Sequence, residues 1–390
     1  MKTLRPALGF TLAFWFALSP ATAEIRKLGD GVVYRDPAFH AAFPSIVRRP
    51  DGELLVAFRR APDWRLFGAK DYSHTDANSQ LVLVRSSDDG ATWSAQPELI
   101  LAHPYGGSQD PCMVQLRDGT IVCASYGWVQ IRDDVFKKLP QPLAVHDGGQ
   151  GRFVAMGGYV LRSTDGGHAW QGPLVPPPVP TEKYYNSFGQ LMPALNRGAM
   201  CEGRDGRLYW AVAAGSNGAG KPTAEHLMVS ADRGLTWTYG APIASDDKVT
   251  FNETSLYETP RGDLIAFMRT EKFEDQACLA RSTDGGKTFG PWQGMGFQGH
   301  PLHAVRLPDE RVLLVYGYRH KPYGIRARIL NAECTDAATA REIVLREDGG
   351  GVDLGYPWAV VLSPTRALVV YYFNRDNGTR TIESTLLGLD

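Results

Sequence analysis

Six times along the chain, a run of alternating apolar and polar residues meets a short polar turn and is followed by a second, more apolar run. The copies are Pro44 to Phe58, Pro111 to Cys123, Gly198 to Trp210, Ser255 to Phe267, His303 to Val315 and Trp358 to Val370. Alternation with a period of two is the pattern of a strand with one face turned inward. The first four turns read Asp51-Gly52, Asp118-Gly119, Asp205-Gly206 and Arg261-Gly262. Between such runs these are hairpin signals, because glycine accepts the positive φ a tight turn needs. Four hairpins are followed by a second repeated stretch, Arg85 to Trp93, Arg162 to Trp170, Val229 to Trp237 and Arg281 to Phe289, each with Ser-x-Asp, then Gly, then a closing aromatic. In these boxes Ser and Asp are suited to bond backbone N–H groups of a turn, and the aromatic to plug it into the core. The fifth unit keeps only the remnant Leu330 to Asp336. Hairpin plus box predicts four strands per unit, and six units predict an all-β, six-bladed β-propeller. Closing the ring requires a strand around Val32 to Tyr34 to complete the last blade beside the chain's end, which removes a free sheet edge. Long helix-periodic segments are absent, and 60–78 and 129–157 are expected to be loops over the functional face.

The first residues change the picture of compartment. Lys2 and Arg5 precede an apolar run from Ala7 to Leu18 and the small-x-small stretch Ala21-Thr22-Ala23, the form of a secretory leader. Residues 1–23 are therefore expected to be a signal peptide and 24–390 a single propeller domain, secreted or periplasmic. Formal charge is 41 Lys and Arg against 42 Asp and Glu. Such a balance gives no general pull toward nucleic acid and favours a neutral or specific ligand. Five cysteines without CxxC spacing make neither a disulfide scaffold nor a zinc site. Cys112 and Cys123 lie on the two arms of one hairpin, which leaves a bridge between them open. Gly148 to Gly151 and Gly215 to Lys221 lack the strand, loop and helix context of a phosphate-binding loop. No motif asks for a cofactor or a metal.

Behind a leader, six units with Ser-x-Asp-x-Gly-x-Thr-Trp boxes resemble the sialidase (neuraminidase) superfamily of BNR/Asp-box repeat proteins over nearly all of residues 24–390. The resemblance implies that the boxes are structural and that a tyrosine assisted by a glutamate is the nucleophile. A phenol meets less repulsion than a carboxylate from a sugar carrying a carboxylate on its anomeric carbon. On the segments that match, Asp353-Leu-Gly-Tyr-Pro357 brings Tyr356 as nucleophile, and Phe251-Asn-Glu-Thr-Ser-Leu256 brings Glu253 as its base. His74-Thr-Asp-Ala-Asn-Ser79 brings Asp76 as acid/base, with Asp71 and Asp63 as competitors. Substrate-carboxylate arginines carry over as Arg269 and Arg319, the latter preferred to Arg326, since a planar guanidinium pairs bidentately with a carboxylate. Where the family has Arg-Ile-Pro, this chain has Ala42-Phe43-Pro44, so the first clamp arginine is missing. His40, Arg59 and Arg60 are the candidates to replace it.

The resemblance thus implies an exo-acting retaining glycoside hydrolase that works, as a monomer without membrane or nucleic-acid partners, on a glycan carrying sialic acid or a related acidic sugar. Two alternatives stay open. One is a hydrolase or lyase of uronate- or rhamnose-containing polysaccharide, using His40, His74, His146, His300, His303 or His320. The other is a carbohydrate-binding propeller without turnover.

Overall fold

A computed structural model describes residues 25–70, 74–147, 151–215, 222–376 and 378–389; the expected leader and Asp71 lie outside them. The six sheets are antiparallel, and in each the chain runs from the innermost strand outward. The innermost strands are Phe39–Arg48 in blade 1, Gly107–Ser108 with Cys112–Gln115 in blade 2, Cys201–Glu202 in blade 3, Thr250–Glu258 in blade 4, Leu302–Arg306 in blade 5 and Gly355–Ser363 in blade 6. Blade 6 is completed from outside by Ile25–Tyr34, in register from Ile25 opposite Leu389 to Tyr34 opposite Ile382. The first strand and the last thus close the ring.

The hairpin turns behave as their residues dictate. Gly52, Gly119, Gly206 and Gly262 take φ between 79° and 97°, and in blade 5, which has no glycine there, Glu310 is held at φ 69°. The boxes join the third strand to the fourth. In each, the serine Oγ accepts from the glycine N–H four residues on, at 2.8 to 2.9 Å, and the aspartate Oδ1 accepts from the residue at that same spacing. The remnant in blade 5 reproduces the turn with Asn331, whose Oδ1 accepts from Thr335 N at 3.1 Å. Both faces of most blades are covered by neighbours, so the core is a series of apolar layers between blades, which is why the middle strands read as nearly unbroken apolar runs.

Two expectations are corrected. The stretch 129–157 is strand at both ends and around 144–147, with a short helix at Asp133–Phe136 and loop between: Ile121–Ile131 pairs with Gly151–Ser163 as far as Ile131 opposite Arg152, past a bulge at Ala155 to Gly157, with Ala144–Asp147 added alongside. Likewise 60–78 contains the end of strand Leu54–Pro62 and a 3-10 turn at Trp64–Phe67. Cys112 and Cys123 do not bridge, and all five cysteines are free. Cys112 stands opposite Ala124 and Cys123 opposite Met113, so the pleat sends the two thiols to opposite faces of the sheet. Among the described residues no helix is long and apolar enough to cross a membrane.

Candidate active site

Where the innermost strands begin or bulge, each blade contributes a residue to one cluster of contacts and charges: Phe43, Asp110, Arg197, Glu253, His300 and Tyr356. In blades 1, 4 and 6 the register slips, between Ala42 and Ser45, Asn252 and Ser255, and Gly355 and Trp358. Phe43, Glu253 and Tyr356 there adopt φ of 58°, 47° and 53°. A bulge re-aims a side chain, and non-glycine residues in the left-handed region cluster at functional sites.

Tyr356 is the hub. Its hydroxyl donates to Glu253 Oε1 at 2.5 Å, and Arg269 Nη1 donates to Glu253 Oε2 at 2.7 Å while lying 3.3 Å from the phenol oxygen. The Arg197 guanidinium lies 4.5 Å from the Tyr356 ring centroid and donates to the Tyr356 carbonyl at 3.2 Å. Arg319 lies 5.2 Å from the same ring and donates to the Tyr372 hydroxyl at 3.0 Å. Phe43 packs against Tyr356 and Tyr372 at 4.9 and 5.2 Å.

A second group is chained to the first through Tyr372, whose hydroxyl donates to Asp353 Oδ1 at 2.9 Å. Asp353 Oδ2 accepts from Arg380 Nε at 2.8 Å and lies 3.4 Å from His40 Nε2. The other His40 nitrogen is 3.4 Å from Arg59 Nη1. Arg59 is fully buried, and its Nε and Nη2 have no hydrogen-bond partner among the described residues.

Asp76 sits over the seam of blades 1 and 2, and its charge acts on the Arg59 guanidinium of the second group. Its Oδ2 accepts from the Trp64 indole N–H, and its Oδ1 from Asn78 N at 2.7 Å. The loop sits tightly on Gly107, where a Cβ would meet the Asp76 carbonyl oxygen at 1.7 Å; only glycine permits that approach. Asp63 caps the 3-10 turn instead and is bonded to Arg65. Arg326 is turned away from the axis, toward Pro322 O, Arg346 O and Glu342.

Electrostatics separate the carboxyls. Burial by itself would raise Glu253, but the Arg269 charge, the Tyr356 hydrogen bond and Arg197 outweigh it and hold the carboxyl down at about 2. Burial together with the Glu253 charge raises the Tyr356 phenol above its ordinary value, only partly opposed by Arg269 and Arg319. Asp110, fully buried with Oδ1 unpartnered among the described residues, is pushed up to about 7 by burial and the Glu253 charge, against Arg197 and Arg59. Burial and the two arginines Arg269 and Arg319 bring His300 down to about 2, leaving it neutral. The site therefore holds a charged base, a protonated phenol and several guanidinium groups, a set suited to an anionic ligand. Beside Glu253 a cleft of about 290 Å³ opens, lined by residues including Tyr126, Trp128, Arg197 and Asn252.

Of the other histidines, His74 lies 3.8 Å from Asp353. His303 stacks on Trp358 and accepts from Ala359 N, a structural role, and His320 faces Asp275. The His146 side chain lies outside what is described. Sequence reasoning did not single out Asp110, Arg197 or Trp64. One signal was available for the ring: Phe43-Pro44, Asp110-Pro111, His300-Pro301 and Tyr356-Pro357 all place proline just after the ring residue, and proline restricts its predecessor to extended or turn backbone. Among the described residues no group of three or more His, Cys, Asp or Glu is arranged to hold a metal ion.

A family profile described as BNR repeat-like domain matches residues 143–367. None of the curated proteins compared matches the chain. Among solved structures, a protein of unknown function from Dyadobacter fermentans is 59% identical over 94% of this chain and 99% of its own, with a TM-score of 0.91. The NanB sialidase of Streptococcus pneumoniae is similar in fold at 13% identity, over 92% of this chain and 70% of its own, with a TM-score of 0.62. So is an alpha-L-arabinanase of Penicillium chrysogenum at 15% identity, over 93% of this chain and 99% of its own, with a TM-score of 0.63.

Proposed function

The chain belongs to the BNR repeat-like domain family, and on that footing we propose that it is an exported, exo-acting, retaining glycoside hydrolase of sialidase type. The observation that carries this reading is the phenol of Tyr356 donating to the carboxylate of Glu253 at 2.5 Å. A nucleophile paired with a base, and the base oriented by a third group, here Arg269, is the arrangement of covalent catalysis.

In the proposed reaction the Tyr356 oxygen attacks the anomeric carbon while its proton passes to Glu253. Asp76 protonates the departing glycosidic oxygen, leaving a covalent glycosyl-tyrosine. Asp76, now ionised, takes a proton from water, whose oxygen bonds the anomeric carbon as the Tyr356 oxygen departs and recovers its proton from Glu253, giving net retention. Arg269 and Arg319 hold the substrate carboxylate. With alanine at position 42, the further cations available are Arg197, against the Tyr356 ring, and Arg59, beside His40. Sialic acid or a related acidic sugar fits this set, because a tyrosine nucleophile suits an anomeric carbon that already bears a carboxylate.

A second reading draws on His300, neutral and buried beside Arg269 and Arg319, whose Nδ1 has no hydrogen-bond partner among the described residues. A neutral imidazole near a tyrosine could serve a lyase acting on an acidic polysaccharide. The deciding experiment is release of 4-methylumbelliferone from its α-N-acetylneuraminic acid glycoside. Turnover that Tyr356→Phe abolishes is the expected result. Absence of turnover from folded protein, with new ultraviolet absorbance on polyuronate, would replace the hydrolase reading with the lyase.

A further inference from the structure

The short segment from Asp353 to Tyr356 carries more than the phenol paired with Glu253. Just ahead of that phenol, two residues hold Arg319. The Leu354 carbonyl accepts from Arg319 Nε at 3.1 Å. The Asp353 carboxylate reaches the same guanidinium through Tyr372, whose hydroxyl accepts from Arg319 Nη2 at 3.0 Å and donates to Asp353 Oδ1 at 2.9 Å. A phenol has one proton to give, and an ionised carboxylate only accepts, so Asp353 draws that proton and turns the oxygen's lone pairs toward Arg319. Nε and Nη2 form one edge of the guanidinium. The other edge, Nη1 with the second Nη2 hydrogen, keeps the fork that a carboxylate takes bidentately.

A second arm runs from the same carboxylate to blade 1. Asp353 Oδ2 lies 3.4 Å from His40 Nε2, and His40 Nδ1 lies 3.4 Å from Arg59 Nη1. A guanidinium can only donate, so Nδ1 accepts and the ring proton sits on Nε2, facing Asp353. That is a neutral imidazole, in keeping with the burial that lowers His40. Arg59 Nε and Nη2 then remain without a hydrogen-bond partner among the described residues. Arg380 Nε at 2.8 Å from Oδ2, and the Asn374 amide donating to the Asp353 carbonyl at 2.7 Å, hold the hub itself. Burial alone would raise the Asp353 carboxyl, but the His40 hydrogen bond and the positive charge around it, Arg380 included, keep it well below its ordinary value.

We propose that Asp353 is the positioning residue of the carboxylate clamp: through Tyr372 it fixes Arg319, and through His40 it fixes Arg59. The proposal deepens, and rests on, the reading of these two arginines as groups that meet a substrate carboxylate. One buried carboxylate thus sets two cations from different blades, and sets both relative to a nucleophile on its own segment. Donors held in place before the substrate arrives lose less freedom on binding it.

Tyr372→Phe removes one hydroxyl and keeps the ring that packs on Phe43 and Tyr356. For the methylumbelliferyl glycoside of N-acetylneuraminic acid, KM is expected to rise roughly three- to tenfold, the scale of one hydrogen bond, with kcat unchanged. The methyl ester of that substrate, which lacks the carboxylate charge, should show no change. His40→Leu should act in the same way through Arg59, and His40→Gln, whose amide can donate to Asp353 and accept from Arg59, should restore most of KM. A fall in kcat at constant KM, or equal effects on acid and ester, overturns the proposal. Should the wild-type protein hydrolyse neither substrate, the functional reading fails but the positioning is still read from the Arg319 Nε–H resonance, assigned by its loss in Arg319→Lys. Its nitrogen-to-proton NOE is expected to be that of a rigid group in the wild type and to drop in Tyr372→Phe. The same NOE in both proteins overturns the positioning.

Discussion

Ala42 stands directly opposite Arg59 across the inner hairpin of blade 1, and both are fully buried. Directly opposed residues project from the same face of a sheet, as does His40, two positions earlier, which meets the Arg59 guanidinium at 3.4 Å. The methyl group at 42 thus leaves room on that face for a guanidinium carried by the neighbouring strand. If Arg59 takes the place of the missing clamp arginine, Arg59→Ala should lower kcat/KM on an acidic glycoside by ten- to a hundredfold, equivalent to about 1.5–3 kcal/mol for one charged hydrogen bond. Steady-state kinetics, with circular dichroism to check folding, measure this, and an unchanged kcat/KM removes Arg59 from substrate binding.

Glu253 and Arg269 form a largely enclosed pair at 2.7 Å, so two variants should part company. Glu253→Gln keeps acceptor and shape but not the base, and should reduce kcat by about 10²- to 10⁴-fold with little loss of stability. Glu253→Ala should lose activity similarly and, by removing the hydrogen-bond acceptor as well as the charge and leaving Arg269 only Glu271 at 3.6 Å, also lower the unfolding free energy by about 3 kcal/mol. Urea denaturation of the two proteins beside their kinetics checks both halves.

Asp110 sets an alkaline limit. Below about 7 its carboxyl is neutral; as pH rises through that value it ionises beside Glu253 and adds a negative charge where an anionic substrate binds. The kcat/KM for an acidic glycoside should therefore fall above pH 7, and Asp110→Asn, which cannot ionise, should flatten that limb. Glu253, held at about 2, is ionised throughout and should contribute no acid limb above pH 4. A profile of kcat/KM against pH for both proteins decides.

Glu225, in the strand Thr223–Ser230 of blade 3, is fully buried, with the Thr254 side chain as its hydrogen-bonding neighbour. Burial pushes its pKa from 4.5 up to about 8. A raised folded-state value means that the folded protein holds the proton more tightly than the unfolded chain. Its stabilising contribution is complete below about pH 4.5 and is lost as pH rises toward 8. Unfolding free energy measured in urea should decline across that window, and Glu225→Gln should reduce the slope. A wild-type slope that the variant retains would assign the decline to other groups.

What the sequence determined by itself is what local chemistry controls. The glycine turns, the Ser-x-Asp boxes and the period-two runs each act within a dozen or so residues, and they sufficed to specify four-stranded units, six of them, and closure by the strand that includes Val32 to Tyr34. They also marked Tyr356 and Glu253 as segment-end residues, through resemblance to a family. What only the tertiary structure decided depends on how blades pack around the axis. Tyr356 meets Glu253 across 103 positions of sequence, and Arg197 slides beneath that ring from a third blade. Asp110 becomes a near-neutral acid only because Glu253 and a dry surround come with it. The pleat parted Cys112 from Cys123, and strand pairing carried Ile121–Ile131 far beyond the sheet its pattern announced. Register and radial packing are long-range properties, and no local window contains them.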